Sequence, residues 1–489
     1  MLDQAWRLGD SVAARPESFG AVLYDYQTRR LSLVASAPAR RVLDQLGTSA
    51  TVREALTRSG VSGPESEAVL GGLAALADGG FLVTPAGMPC RSDEPASPAG
   101  MPRAPSTRLA DRLESGLSAP ICLTWELTYG CNLSCTHCLS SSGRRDPNEL
   151  STQECLDFAA ELGSMGVFYV NIGGGEPTIR PDFWDILAGC LDHRVGVKFS
   201  TNGSRIDTAR AEVLAGMAYV DVQVSLDGAT AEVNDKVRGA GSFDTAVRAL
   251  DRLASAGKRG VKVSVVCTRH NIGQLDAFLD LANRYQATLR LTRLRPAGRG
   301  AETWADMHPL PDQQRVLYDW LLAHGERVLT GDSFFHLSAY GQALPGLNMC
   351  GAGRVVCLVD PVGDVYACPF AMHDSFLAGS LRDNGFGAVW RESPVFEAVR
   401  GPQASGCTSC PAFSACRGGC MAAKFFTGLP LNGPDPECVR GEAEPLLAAR
   451  RDSPAPSRDH SHSLVRVTLG RRPRDCEPSP LATAGTRAP

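Results

Sequence analysis

Apolar residues fall along this chain in two rhythms, and their alternation predicts the architecture. Six short runs rich in β-branched and aromatic residues read as strands: ICLTWELT (121–128), FYVNIG (168–173), GVKFST (196–201), YVDVQVSL (219–226), GVKVSVVCT (260–268) and TLRLTRL (288–294). Stretches near 152–165, 182–192, 207–216, 242–256, 273–285 and 312–323 carry apolar residues at helical spacing and separate or follow them. Strand and helix in alternation build parallel βα units. Six such units predict an α/β fold, an open or partial barrel with its site at the C-terminal ends of the strands.

The flanking segments follow other patterns. AVLYDYQTRRLSLV (21–34) alternates around a polar QTRR tip and predicts a β-hairpin, followed by helices near 38–47, 51–58 and 65–78. Leu43 and Leu46, then Val69, Leu73 and Leu76, give those helices apolar faces, so residues 1–85 form a winged-helix-like α+β module. Residues 86–117 are rich in Pro, Ala, Ser and Gly and predict a flexible linker with a short helix at 107–116. The barrel then occupies 118–330, a cysteine-rich, loop-rich domain 345–440, and a disordered tail 447–489.

Composition narrows the class. The chain has 489 residues, enough for several domains. Its 49 basic and 53 acidic side chains leave a formal charge of −4, which argues against nucleic acid as a partner. The start, MLDQAWRLGD, lacks a basic segment leading into an apolar run, and nowhere do 18 apolar residues follow one another, so no membrane partner is implied and the protein reads as soluble and cytoplasmic. Seventeen cysteines in a reducing compartment are too many to be inert. Metal or cluster ligation becomes the leading idea.

Cys131-Asn-Leu-Ser-Cys135-Thr-His-Cys138 directly follows the first strand, on the loop where a barrel places its chemistry. Three close thiolates can hold three irons of a 4Fe-4S cube and leave the fourth iron open. Structural zinc wants a fourth ligand, which His137, flanked by two of the thiols, is poorly placed to supply; zinc stays as the alternative. The second strand ends in Gly173-Gly174-Gly175-Glu176-Pro177, where bare glycines admit a ligand to the backbone and a carboxylate suits an ammonium group. No Lys-Ser/Thr of a phosphate loop follows, and taken alone the run reads as a turn. Ser200, Thr201 and Asn202 end the third strand, and Ser225 and Asp227 the fourth; each also reads as a strand-end cap.

A second constellation runs Cys350-x12-Gly363-x4-Cys368, then Cys407-x2-Cys410-x5-Cys416-x3-Cys420, then Cys438. Cys357 adds an eighth thiolate, the number that closes two cubes, with a zinc ribbon as the alternative. Cys90, Cys122, Cys155, Cys190, Cys267 and Cys476 share no spacing, and Cys122, Cys190 and Cys267 read as small buried hydrophobes.

The CxxxCxxC motif after the first strand resembles the radical S-adenosylmethionine enzymes, over about 118–330, and the second constellation resembles their SPASM extension, over about 345–440. The resemblance implies that Cys131, Cys135 and Cys138 hold a reducing 4Fe-4S cluster whose open iron chelates S-adenosylmethionine, and that reductive cleavage yields methionine and a 5′-deoxyadenosyl radical. It implies that His137 packs near the adenine and that Gly174, Gly175 and Glu176 hold the methionine amino group. Ser200, Thr201, Asn202, Ser225 and Asp227 would meet the ribose and carboxylate, with Arg238 and Asn271 at looser positions. It also groups Cys350, Cys357, Cys368 and Cys420 around one auxiliary 4Fe-4S cluster and Cys407, Cys410, Cys416 and Cys438 around another, fully ligated and suited to electron transfer.

WELTYGCNLSCTHCLSSSGRRDP, FYVNIGGGEPTIRPDFW, LTRLRPAGRGAETWAD, NMCGAGRVVCLVDPVGDVYACPFA and CRGGCMAAKFFTGLPLNGPDPEC resemble the mycofactocin radical maturases, and residues 1–85 resemble the mycofactocin binding chaperones. The chain thus looks like a fusion of two families. What this implies is a ribosomally made precursor peptide whose leader adds as a strand to the first module, and an electron donor such as flavodoxin or ferredoxin. It further implies modification of a C-terminal Val-Tyr: abstraction of a tyrosine β-hydrogen, loss of carbon dioxide and one electron, then joining of the valine side chain. Another SPASM peptide enzyme with a different peptide, or a zinc protein with a DNA-binding winged helix, are the competing readings. The module lacks a basic stripe, and Arg29, Arg30, Arg40 and Arg41 read as a solvated hairpin tip and helix start. Arg293, Arg295 and Arg299, just past the sixth strand, are candidates for the peptide's terminal carboxylate. His336 and His373 are candidates for proton handling, and catalytic residues are otherwise unassigned.

Overall fold

The computed structural model describes residues 1–88, 116–325, 327–330, 334–344, 350–401 and 406–449. Most of the expected linker, its helix at 107–116, and the expected tail from 450 onward lie outside them. The chain divides into two compact units, Met1–Arg112 and Leu113–Pro489.

In the first unit the expected hairpin forms as β3 (Gly20–Asp25) and β4 (Arg30–Val34), and β2 (Val12–Glu17) completes an antiparallel sheet in the order β2-β3-β4. The third strand was not anticipated because VAARPE carries a proline and two charges; its Arg15 and Glu17, on one face, pair at 2.9 Å in a buried setting. β1 (Arg7–Leu8) and β5 (Leu82–Val83) pair as a separate ribbon. Gly20 is required at its position: with φ at +145°, a Cβ there would stand 1.9 Å from the Val34 carbonyl oxygen. Helices Ala37–Leu46, Val52–Arg58 and Pro64–Asp78 follow, the first two capped by Ser36 and Thr51. Their Val42, Leu46, Val52 and Leu73 pack with Trp6 and Leu23 in one core.

The second unit is built on a ten-stranded sheet. Six parallel strands form where the periodicity places them: β6 (Cys122–Thr128), β7 (Tyr169–Gly174), β8 (Gly196–Thr201), β9 (Val220–Ser225), β10 (Val261–Cys267) and β11 (Thr288–Arg293). β12 (Val328–Leu329) extends one edge, and β13 (Leu358–Val359) pairs in parallel with β6 at the other, followed by antiparallel β14 (Asp364–Tyr366) and β15 (Leu377–Ser380). The cysteine-rich region therefore continues the barrel sheet.

One strand face carries Trp125, Val170, Phe199, Val224, Val265 and Leu291, all buried against Phe158, Phe183, Leu250 and Phe278 of the helical layer. The alternate positions are polar and satisfy one another: Lys262 Nζ lies 2.5 Å from Asp221, Lys198 Nζ lies 3.3 Å over the Tyr169 ring, and Arg290 donates to Ser264 Oγ at 3.2 Å. Two further helices, Ala231–Arg238 and Gly300–Met307, escaped the periodicity because the first is mostly polar and the second begins at a glycine. Helix Glu444–Ala448 reaches into the start of the expected tail. Among the described residues no helix is long and apolar enough to cross a membrane.

Candidate functional site

The loop after β6 is tied into a noose before any ligand is considered. Cys131 N donates to the Gly143 carbonyl at 2.9 Å and Gly143 N to that of Tyr129 at 2.8 Å. Glu149, almost fully buried, accepts from Thr128 Oγ1, Tyr129 N and Arg145 Nε at its base. The Cys131, Cys135 and Cys138 thiols, half-buried, face one another, and burial first, then Glu176 and the two neighbouring thiols, raise the pKa of Cys131 against the Leu133 N–H. Burial also raises that of Cys135, against the pull of Arg238, whose Nη1 stands 4.0 Å from its sulfur. Three soft donors brought together in this way fit three irons of a cube, and binding them supplies the free energy of deprotonation. Among the described residues no three Cys, His, Asp or Glu side chains converge as tightly as a single metal ion requires.

The loop after β11 presses on this noose from above. Arg299 Nε donates to the Cys135 carbonyl and Nη1 to that of Ser142, both at 2.8 Å, while Arg299 N donates to the Cys138 carbonyl at 3.0 Å. Arg299 is therefore a staple across the cluster loop, which corrects its expected role as a carboxylate binder. Charge-assisted bonds of this kind contribute about 1.5–3 kcal/mol each. Arg299→Gln is expected to lower iron retained per chain after desalting by severalfold while leaving the far-ultraviolet circular dichroism unchanged. Full iron retention would refute the staple.

Gly174 and Gly175 are glycines for the sake of the chain itself. A Cβ on Gly174, at φ +97°, would lie 2.5 Å from the Thr128 carbonyl oxygen, and one on Gly175 1.9 Å from that of Gly130. Gly173 instead faces open space. Glu176, 1% exposed, accepts from Thr178 N, Thr178 Oγ1, Thr201 Oγ1 and Asn202 N at 2.5–3.2 Å. Burial raises its pKa against these donors. It thus locks the ends of β7 and β8 together, with every carboxylate bond supplied by the chain. Asn202 passes the tie on to the cluster loop through Asn132 at 2.9 Å.

Asp227, completely buried, is the equivalent anchor after β9. Its Oδ2 lies 2.6 Å from His137 Nε2 and 2.7 Å from Arg238 Nε, and its Oδ1 accepts from Val266 N at 2.8 Å. Burial pushes its pKa up, but Arg238 and then His137 outweigh that and hold the carboxyl well below the usual range. Asn271 ties the same corner, donating to the carbonyls of Asp227 and Val266 and accepting from Thr268 N. His137, Asp227, Arg238 and Asn271 are brought together as a buried brace under the cluster loop. The hydroxyls of Ser200 and Ser225, half-buried at the ends of β8 and β9, keep their hydrogen-bonding capacity free. Together with the open face of Gly173 they offer a ligand room and polar partners beside the three thiols, which fits S-adenosylmethionine.

Seven of the eight remaining thiols fall into two sets. Cys407 lies close enough to raise both Cys416 and Cys438, and Cys410 N donates to the Cys407 carbonyl at 2.9 Å; burial, then Asp435, pushes Cys416 up to about 12. Cys350, Cys368 and Cys420 likewise face one another. Cys357 departs from expectation: it is completely buried and its thiol faces Cys122 and Arg400. The cause is the pairing of Leu358 with Thr124, which presses the residue before β13 onto β6.

Arg293 also departs from its expected role. It is buried and bonded to Asp435, with Nη1 to Oδ2 at 2.9 Å, and to Glu437. Arg295 lies with its guanidinium 4.2 Å over the Phe370 ring. Next to it a small recess is lined by Leu139, Ala297, Gly298, Phe370, Met372 and Phe426. It joins the residue after Cys138 to the cysteine-rich region. His336 is buried near Asp435, and His373 Nδ1 accepts from Ser375 N at 3.1 Å, so neither faces the cluster loop.

Comparison with known proteins agrees with this geometry. Residues 125–282 match the Radical SAM superfamily, residues 350–417 the SPASM iron-sulfur cluster-binding domain, and residues 5–83 the peptide chaperone MftB family. The chain is 65% identical over 388 residues to the mycofactocin maturase MftC of Mycobacterium tuberculosis, covering 77% of this chain and 99% of that one. It is 66% identical over 358 residues to the mycofactocin maturase of Mycobacterium ulcerans, covering 72% and 97%. The fold is similar to that of SuiB from Streptococcus suis, solved with S-adenosylmethionine, at a TM-score of 0.66 and 18% identity over 88% of this chain and 99% of that one. The chain is an enzyme whose cofactors are S-adenosylmethionine and 4Fe-4S clusters. With its cluster loop, its auxiliary thiols and its chaperone module on one chain, it belongs to the mycofactocin maturase family of radical S-adenosylmethionine enzymes.

Proposed function

We propose that this enzyme modifies a C-terminal Val-Tyr of a ribosomally made precursor peptide, first by oxidative decarboxylation of the tyrosine and then by joining the valine side chain to the product. The observation that carries the reading is the placement of an open, polar strand-end face at Gly173, Ser200 and Ser225 beside the Cys131, Cys135 and Cys138 loop. When bound, S-adenosylmethionine and its cluster would supply a carbon-centred radical able to take the tyrosine β-hydrogen, and clusters held by the auxiliary thiols would offer a one-electron acceptor as carbon dioxide is lost.

The chain's own residues do the positioning. Glu176 and Asp227 hold the strand ends in register, and Arg299 fixes the cluster loop from above. Leu139, Phe370, Met372 and Phe426 form an apolar patch beside the cluster loop, with Arg295 stacked over Phe370. In the first unit β4 is an edge strand with a partly exposed face, suited to adding a leader segment as a further strand. The reading places the enzyme in the cytoplasm, where thiols stay reduced, with a flavodoxin or ferredoxin as electron donor.

The test is anaerobic incubation of the reconstituted enzyme with S-adenosylmethionine, a reductant and a precursor peptide ending in Val-Tyr, followed by mass spectrometry. The expected product has lost carbon dioxide and a pair of hydrogens, with 5′-deoxyadenosine formed alongside. Deoxyadenosine without a change in peptide mass would reject this substrate and leave another peptide as the target.

A further inference from the structure

Asp435 sits between the two auxiliary thiol sets and touches both. Its Oδ2 accepts from the backbone N of Cys420 at 2.7 Å, and its backbone carbonyl accepts from Cys438 N at 2.9 Å. Gly419, at φ +81°, makes this approach possible, because a Cβ there would stand 2.3 Å from the Asp435 carboxylate. Arg293 binds the carboxylate through both terminal nitrogens and sends its Nε to Glu437, so a cation from the end of β11 is planted at Cys420.

The surrounding charge is lopsided. Cations outnumber anions around the Cys350, Cys368 and Cys420 set, with Arg293 at Cys420, Arg295 at Cys368, and Arg354 and Lys424 at Cys350, against the Asp435 carboxylate on Cys420 N and Glu437 on Arg293. The Cys407, Cys410, Cys416 and Cys438 set faces the Asp435 carboxylate at Cys416 and Cys438. Cluster potential follows local charge and hydrogen bonding, since reduction adds one negative charge that a nearby cation stabilises and a nearby anion opposes.

We propose that the buried Arg293–Asp435 pair divides the two auxiliary clusters electrostatically, Arg293 raising the reduction potential of the one held by Cys350, Cys368 and Cys420, and Asp435 lowering that of the one held by Cys407, Cys410, Cys416 and Cys438. An electron arriving in this domain then rests on the first cluster. In the decarboxylation proposed above, the peptide radical is oxidised by one electron as carbon dioxide leaves, and that cluster is reduced by one. This last consequence rests on the peptide reading; the division of potentials does not.

The experiment is a potentiometric titration of the full-length, iron-loaded enzyme followed by electron paramagnetic resonance, without peptide or S-adenosylmethionine. Signals are assigned by replacing the cysteines of each set with alanine. Asp435→Asn keeps shape while removing charge, and is expected to raise the midpoint of the Cys407 cluster by roughly tenfold in the reduction equilibrium, about 59 mV for one electron. Arg293→Gln is expected to lower the midpoint of the Cys420 cluster by a similar factor, and Arg293→Lys to leave it near that of the unsubstituted enzyme. The midpoint of the Cys131 cluster stays constant throughout. Shifts of one sign in Asp435→Asn and Arg293→Gln, or an unmoved Cys407 cluster in Asp435→Asn, would overturn the proposal. Should Arg293→Gln fail to hold iron, Asp435→Asn and Arg293→Lys decide it by the same criteria. Because no peptide is present, failure here is distinct from failure of the proposed peptide chemistry.

Discussion

Gly175→Ala is expected to cost the enzyme its first cluster. The added methyl would stand 1.9 Å from the Gly130 carbonyl oxygen and 2.6 Å from its carbon, so it meets backbone that no rotamer change can move aside. Gly130 is also the acceptor for Glu176 N at 2.9 Å, and Cys131 comes next in the chain. The strain therefore passes directly into the ligand loop. Overpacking against yielding side chains costs about 1–3 kcal/mol, and a clash with fixed backbone exceeds that range. Iron and sulfide per chain should fall roughly tenfold, with parallel loss of absorbance near about 400 nm and of 5′-deoxyadenosine. Gly173→Ala makes the control, because nothing lies within 4 Å of the position its methyl would take. This variant should load iron normally and bind S-adenosylmethionine more weakly. Normal iron in Gly175→Ala, or lost iron in Gly173→Ala, would refute the assignment of the two glycines to different tasks.

Asp227→Asn is expected to destabilise the barrel by about 3–5 kcal/mol, the usual cost of removing one partner from a buried ion pair. Arg238, 2.7 Å away and only 12% exposed at its side chain, would be left as a cation with no counter-charge. The double variant Asp227→Asn with Arg238→Met should recover much of the loss, because the remaining pair carries no charge. The sign of the pH dependence follows from the depressed native pKa of Asp227. Its contribution is complete above the unfolded carboxyl value near about 3.9, and is lost as the pH falls through the native value. Unfolding of the metal-free chain below about pH 4 should therefore be shallower in Asp227→Asn than in the parent. An unchanged melting temperature in the single variant, or no recovery in the double, would show that the brace does not hold the strand ends.

The six barrel strands were legible because each alternates a helix-facing apolar position with a polar one over six or seven residues, as in Val-Asp-Val-Gln-Val-Ser of β9. Local spacing likewise carried the Cys131, Cys135 and Cys138 loop and the glycines before Glu176, since these features act within a single turn of chain. The helix Ala231–Arg238 was not legible, for its face is written in Asn234 and Val237 alone. Roles that depend on a distant partner could not be read at all. Arg293 looked like any arginine past a strand, and its partner Asp435 stands 142 residues further on. Cys357 counted as the eighth thiolate by arithmetic, and only the pairing of β13 with β6 turned it toward Cys122. Glu176 reads from sequence as a ligand contact, yet folding surrounds its carboxylate with donors from its own chain and leaves Gly173, Ser200 and Ser225 as the open positions. By itself, then, the sequence determined the strands, the helices that pack on them and the thiols able to gather around iron, because periodicity and spacing are short-range properties. Tertiary structure alone decided which charges neutralise one another inside, because a buried cation must find an anion but nothing near it in the chain says which one.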